Sequence, residues 1–235
     1  MTHSALAALF AFVSGRVGAA RVSLPPARAS TITASRAKRG FDVLGALAAL
    51  VFLAPLFVIT AIALLVMQGR PLLIRHTRIG KDGRAFPCFK FRSMVVDADE
   101  VLQRHLQTSS TARAEWNASR KLRCDPRITE LGGVLRKSSV DELPQIINVL
   151  RGEMSLVGPR PIIAAEMPLY GEHLADYLRT RPGLTGAWQV SGRNDVSYDA
   201  RVRLDADYVR NWSFARDMVI IMRTVPAVLR SRGTY

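Results

Sequence analysis

From Phe41 to Met67 the chain runs for 27 residues, FDVLGALAALVFLAPLFVITAIALLVM, in which Asp42 is the only charge. As an α-helix this run is about 40 Å long, more than the ~30 Å hydrocarbon core of a bilayer requires. A surface helix of a soluble domain shows one apolar stripe, not apolar residues on every side. The run is therefore a membrane segment. Whether it spans is a separate question. Pro55 lies at its centre, where the missing N–H removes a helical hydrogen bond and bends the axis. Both flanks are basic: Arg36, Lys38 and Arg39 before it, then Arg70, Arg75, Arg78 and Lys81 after it. Positive charge at both ends favours the cytoplasm for both, so charge bias sets no single orientation. A segment kinked at Pro55, entering and leaving one leaflet, satisfies both flanks. That re-entrant geometry is the expectation.

The rest of the composition narrows the partners. Lys and Arg number 33 against 19 Asp and Glu, a formal charge of +14 in 235 residues. Such a chain favours anionic partners: nucleic acid, acidic lipid headgroups or phosphorylated small molecules. Cys88 and Cys124 stand alone, without the spacing of a zinc site. No Walker A loop, GxGxxG or HExxH occurs. Residues 1–37 hold no Asp or Glu and read as a flexible basic arm.

Beyond the membrane segment, LLIRHTRIGKDGRAFPCFKFRSM (72–94) has two β-leaning runs around Lys81-Asp82-Gly83, a hairpin signature. Asp97 to Lys121 has a polar, helical pattern. CDPRITELGG reads as a loop leading into a helix over DELPQIINVLRGEM, and the chain then turns loop-rich through SLVGPRP and RPGLTGAWQVSGRND. Two further helices are expected over 196–211 and 215–230. The second is apolar on one side and basic on the other, as suits an anionic membrane surface. The fold class expected is α+β, predominantly helical, with interfacial amphipathic helices.

Within this basic chain, RKSSVDELPQ (136–145) sets Asp141 and Glu142 side by side. Ser139 to Glu142 has capping-box spacing, and acidic residues in a first turn favour the helix macrodipole. Pro144 fits better if the helix starts nearer Asp141. The second reading is chemical. Arg136, Arg160, Arg193, Lys90 and Arg92 lie at Gly/Pro-punctuated or element-end positions, from which guanidinium forks and ammonium groups can hold phosphate. A diphosphate brings Mg²⁺, for which adjacent carboxylates are natural ligands, and an aspartate can also be a nucleophile that forms an acyl phosphate. Lys90 and Arg92 as exposed strand charges, and Arg193 as part of a turn, are the plainer alternatives.

LRKSSVDELPQIINVLRGEMSLVGPRP and RPGLTGAWQVSGRN, with KRGFDVLGA, KFRSM and DPRIT in the same order, closely resemble the bacterial sugar transferases, the monotopic polyprenyl-phosphate phosphoglycosyl transferases. The likeness runs from Lys38 to the C-terminus. Within the family it is most similar to the small enzymes that begin exopolysaccharide repeat units with galactose-1-phosphate. The resemblance implies that Asp141 attacks a UDP-hexose, releases UMP and carries a phosphosugar to undecaprenyl phosphate. It implies that Glu142 serves Mg²⁺ coordination or acceptor activation, and that Arg136 and Arg160 hold phosphate. It also implies the inner membrane as location, with the catalytic part on the cytoplasmic face among membrane lipids. One departure stands out: many relatives have Ser-Pro at the membrane-helix break, where this chain has Ala54-Pro55.

The expected organisation is thus a basic arm (1–37), a re-entrant membrane helix (38–69) and a catalytic domain (70–235). The sugar is not legible; glucose-1-phosphate is the alternative to galactose-1-phosphate. The oligomeric state is open, a homodimer included. A membrane-tethered nucleic-acid-binding or scaffold protein is the rival from another class. A carboxylate pair among the basic loops would repel a phosphodiester strand, so no nucleic-acid partner is expected.

Overall fold

The computed structural model describes residues 35–119, 122–191 and 197–229; the arm before Ser35, and Arg193, lie outside them. The whole apolar run forms one helix, α1 (Arg36–Gln68), with Pro55 inside it. The Ser35 side chain caps its start, accepting from the Lys38 amide at 3.1 Å. Gly69 closes it, its N–H donating to Leu65 O. Among the described residues α1 is the one helix long and apolar enough to cross a membrane.

The two sides of α1 differ in what they touch. Lys38, Asp42, Ala46, Thr60 and Leu64 are buried, and Leu50, Leu53 and Phe57 pack between them against the rest of the chain. These residues recur every three or four positions, one stripe of a helix. Val51, Phe52, Val58, Ile59, Ile62 and Val66 face outward and are exposed. A stripe from the first turn to the last therefore packs on residues 70–229.

Ionic contacts fix the first turns. Lys38 Nζ donates to Asp217 Oδ2 at 2.7 Å, with Asp42 Oδ1 3.7 Å away. Asp42 accepts from Ser155 Oγ at 2.8 Å and from the Leu156 amide at 3.1 Å. Asp217 also accepts from the Tyr208 hydroxyl and the Trp212 indole. Buried charges persist only when paired and hydrogen-bonded, and here both carboxylates are.

The expected hairpin is present: β1 (Leu73–Ile79) pairs antiparallel with β2 (Ala85–Phe91). Asp82 and Gly83 take positive φ in its turn, as Asp and Gly do most easily. The segment expected as one polar helix is two, α2 (Ala98–Thr108) and α3 (Ser110–Ser119), broken at Ser109. Leu102, Leu106, Ala112 and Trp116 share their small core.

Two expectations are corrected. The TELGG part of the supposed loop enters a helix, α4 (Glu130–Lys137), capped by Thr129 Oγ1, which accepts from the Gly132 amide at 2.9 Å. Glycine lowers helix propensity, and this helix holds two. Gly132 is there for a close approach: a Cβ would lie 2.0 Å from the Ser93 carbonyl oxygen. The long loops also contain structure. β3 (Ser155–Val157) and β4 (Gly183–Thr185) pair in parallel, and a 3₁₀ segment over Ala164–His173 leads into α6 (Leu174–Leu178). Gly158 and Gly183 bring the two strand ends together backbone to backbone; a Cβ on Gly183 would meet Gly158 N at 2.1 Å. α5 (Gln145–Arg151) precedes β3.

Helices α7 (Tyr198–Arg210) and α8 (Phe214–Leu229) complete the fold, which is mostly helical as expected. Asp217 and Ile220 of α8 are buried, while Phe214, Val219, Met222 and Val225 are exposed. Phe214 meets Phe41 of α1 edge-on, centroids 5.1 Å apart, so the apolar outer faces of the two helices adjoin.

Candidate active site

Asp141 and Glu142 sit in a 3₁₀ turn, Val140–Glu142, between α4 and α5. The capping-box spacing from Ser139 is not used as a cap, in line with the position of Pro144. Ser139 makes no side-chain cap bond and adopts φ 58°, left-handed backbone that serine rarely takes. Helix α5 begins only at Gln145, with Pro144 just ahead of it, where its missing N–H breaks no helical bond. Left-handed backbone at a non-glycine residue costs on the order of 1–3 kcal/mol and clusters at functional sites. The surrounding chain holds the turn from both ends. Val140 packs in the cluster of Leu64, Phe91 and Leu135, which sets the pair against α1. At the far end of α5, Arg39 of α1 donates to Val149 O and Leu150 O, and Arg181 donates to Gly152 O. Buried Asn148 ties α5 to β2 by accepting from the Phe89 amide and donating to Pro87 O.

Asp141 is buried, 6% exposed, yet among the described residues it accepts no hydrogen bond from another side chain. Its carboxyl is pushed up to about 6, by burial first and by Glu142, against the pull of Lys90 and Arg136. Glu142 behaves oppositely. Burial would raise it, but the Lys90 ammonium, with Arg160 and Arg78, holds it below the ordinary carboxylate range. Lys90 Nζ lies 2.6 Å from Glu142 Oε1 and 4.0 Å from Asp141 Oδ2. Two adjacent carboxyls whose environments push them apart are suited to different roles.

The expected phosphate-binding residues divide. Lys90, Arg136 and Arg160 gather at the pair. Arg136 Nε donates to Ser93 Oγ at 2.9 Å, and its charge acts on Asp141. Among the described residues the Arg160 guanidinium donates to no acceptor; it lies over the Trp188 ring at 5.8 Å. Buried Arg92 uses Nη2 to donate to Gln68 O and, at 3.0 Å, to Gly69 O, closing the C-terminal end of α1. Its Nε and Nη1 are buried with no hydrogen-bond partner among the described residues. Arg193 lies outside the described residues. Pro55 lies mid-α1, on the candidate membrane helix and away from this turn in sequence.

Arg78 was missed as a site residue. Its charge reaches Glu142, and it is 3.9 Å from Glu166. Ile74 pairs with Lys90 and Arg78 with Phe86, so the two-residue period puts Arg78 on the sheet face of Lys90. That periodicity was the available signal.

No group of three or more His, Cys, Asp or Glu that could hold a metal ion occurs among the described residues. Magnesium is commonly bound by one or two carboxylates together with substrate phosphates and water. The Asp141–Glu142 pair fits that donor set.

Residues 33–231 match the family model described as bacterial sugar transferase. The exopolysaccharide production protein ExoY of Rhizobium meliloti (strain 1021) is 52% identical over 199 residues, 85% of this chain and 88% of that protein. The UDP-galactose-lipid carrier transferase of Erwinia amylovora is 52% identical over 84% of this chain, which spans 41% of that longer protein. The UDP-glucose:undecaprenyl-phosphate glucose-1-phosphate transferase of Caulobacter vibrioides is 37% identical over 84% of this chain and 72% of that protein. With the match running from before α1 to the end of α8, the chain belongs to the bacterial sugar transferase family.

Proposed function

We propose that this protein transfers hexose-1-phosphate from a UDP-hexose to undecaprenyl phosphate, as the first membrane step of exopolysaccharide synthesis. The carrying observation is Asp141: a buried carboxylate that accepts from no side chain among the described residues, beside cations able to hold a diphosphate. An Asp141 oxygen attacks the sugar-side phosphorus. The bond from that phosphorus to the bridging oxygen breaks, and UMP departs with the electron pair. An oxygen of undecaprenyl phosphate then attacks the acyl phosphate, forming the polyprenyl diphosphate sugar and freeing the Asp141 carboxylate. Lys90 and Arg136 keep Asp141 ionised near neutrality, and Arg160 offers its unused N–H groups to the diphosphate. Magnesium, when held by Asp141 and Glu142, supplies neutralisation of charge on the transferring phosphoryl group. Galactose is the sugar favoured, on the names of relatives near 50% identity; the Caulobacter relative favours glucose as the second reading.

The packing of α1 supports the re-entrant placement. Lys38 and Leu64 lie at opposite ends of the helix, and both are buried against the same domain. A helix gripped at both ends by one domain keeps those ends on that domain's side. The exposed residues of α1 and α8 then enter one leaflet of the inner membrane from the cytoplasmic face.

The test is UMP release in membranes supplied with undecaprenyl phosphate, Mg²⁺ and a panel of UDP-sugars, with mass mapping of the Asp141 peptide. Release that needs no Asp141, or no release from any UDP-hexose, overturns the proposal. The latter result would favour a nucleic-acid-binding or scaffold role.

A further inference from the structure

Beside Arg160 lies a second group of polar side chains that the transfer chemistry does not use. Tyr198, Arg201 and Asp205 stand at i, i+3 and i+7 on one side of α7. Trp188 approaches from the loop after β4. The Arg201 guanidinium lies 5.0 Å from the Trp188 ring centre and 4.9 Å from that of Tyr198. Arg201 is 7% exposed, and among the described residues its buried Nε and Nη2 have no hydrogen-bond partner. The same holds for Trp188 Nε1, the Tyr198 hydroxyl and Asp205 Oδ1. The other Asp205 oxygen accepts from Tyr170 at 3.0 Å.

Buried polar atoms in native proteins are nearly always paired, because an orphan loses its bonds to water and gains none. Several orphans in one place, of both donor and acceptor kind, point to a ligand that supplies the partners. Its chemistry can be read from them. A further phosphate is unsuited, because Asp205 and Glu166, the latter 3.9 Å from Arg201, bring negative charge. A uracil edge offers two acceptors and one donor and has little use for a carboxylate. A pyranose offers hydroxyls that both donate and accept, and C–H faces that lie on aromatic rings.

We propose that Trp188, Tyr198, Arg201 and Asp205 form the site for the hexose ring of the donor. The inference rests on the transfer reaction proposed above. Arg160 joins the two sites: it lies over Trp188 and its charge acts on Glu142. A phosphate held by Arg160 would carry its sugar one oxygen away, toward these residues. The site stays filled through both half-reactions, because the sugar remains on Asp141 after UMP leaves.

The test is equilibrium binding to the full chain in lipid nanodiscs, in an Asp141→Asn background that prevents turnover. Each of Tyr198→Phe and Asp205→Asn should weaken UDP-galactose or UDP-glucose about tenfold while changing UMP affinity less than about twofold. Tyr198→Phe removes an unpartnered buried hydroxyl, so it should melt no lower than its parent without ligand, which separates lost binding from lost folding. Parallel losses of UDP-hexose and UMP would put the nucleotide in this site and overturn the proposal. Unchanged affinity for both would make the cluster packing alone, and overturn it equally. A parent that binds UMP but gains nothing from the hexose would also refute it. A parent that binds neither UDP-hexose nor UMP would instead refute the transfer reaction itself.

Discussion

Asp141→Asn should abolish turnover and stabilise the protein at once. The catalytic half follows from chemistry: an amide cannot form the acyl phosphate, so UMP release should fall by about a thousandfold or more. The stability half follows from burial. The Asp141 carboxyl climbs from 3.8 to about 6, so its ionisation opposes folding. The stability is fully present below the unfolded value near 3.8 and is lost as pH rises through about 6. At about 1.36 kcal/mol per pH unit, the asparagine variant should gain about 3 kcal/mol at pH 7.5 and only about 1.6 at pH 5. For a chain of this size the gain at pH 7.5 is on the order of 6–12 °C in Tm. The assay is thermal unfolding in nanodiscs with EDTA, at both pH values, beside UMP release with Mg²⁺. A variant that melts at or below wild type at pH 7.5, or gains equally at both pH values, would refute the electrostatic account of this site. Retained turnover would refute the covalent mechanism.

Four further outcomes are expected. In wild-type protein kcat/KM should fall as pH drops below about 6, because the nucleophile is then protonated; a flat profile from pH 7.5 to 5 would remove Asp141 from the rate. Asp217→Asn should cost on the order of 1–3 kcal/mol by removing the nearer of the two carboxylates that face buried Lys38, Asp42 at 3.7 Å being the one left, read as a lower Tm, and a neutral substitution would show that the first turns of α1 do not need it. Arg160→Ala should lower kcat/KM by about 10- to 100-fold, with lysine restoring only part of it; full rescue by lysine would show that net charge alone matters. Single cysteines at Ser30 and Ser231, with Cys88 and Cys124 replaced by alanine, should both resist an impermeant thiol reagent in intact cells, whereas labelling at position 30 alone would mean that α1 spans.

What the sequence made legible follows how local each signal is. The apolar run, the Lys81-Asp82-Gly83 hairpin and the two C-terminal helices each rest on neighbours within a dozen residues, and each is present. α4 was hidden because Gly132 lowers helix propensity locally for the sake of a contact with Ser93, about forty residues earlier in the chain. The short parallel pair β3–β4 was hidden likewise, since glycines that permit Gly158 and Gly183 to touch read as loop in one dimension. The dyad was legible as a motif. Its conformation was not, because the spacing of Ser139 and Glu142 fits a capping box equally well.

The arginines carry this furthest, because their residue type alone says little about what they hold. Arg92 and Arg160 both lie in basic, motif-like stretches, yet Arg92 closes the end of α1 through Nη2 while the Arg160 guanidinium, among the described residues, donates to no acceptor. The difference lies in where backbone carbonyls run out of partners. The last carbonyls of a helix have no intrahelical donor. Those of α1 fall where Arg92 can reach them. Those of α5 fall to Arg39 and Arg181. Three cations are thereby fixed to the frame that holds the dyad turn. Arg201 differs from them: among the described residues it closes no carbonyl and lies buried between two rings, near a carboxylate with an unpartnered oxygen. Its charge is met by Glu166 at 3.9 Å and by Asp205, but its buried Nε and Nη2 make no hydrogen bond among the described residues, and a ligand hydroxyl would supply the acceptor.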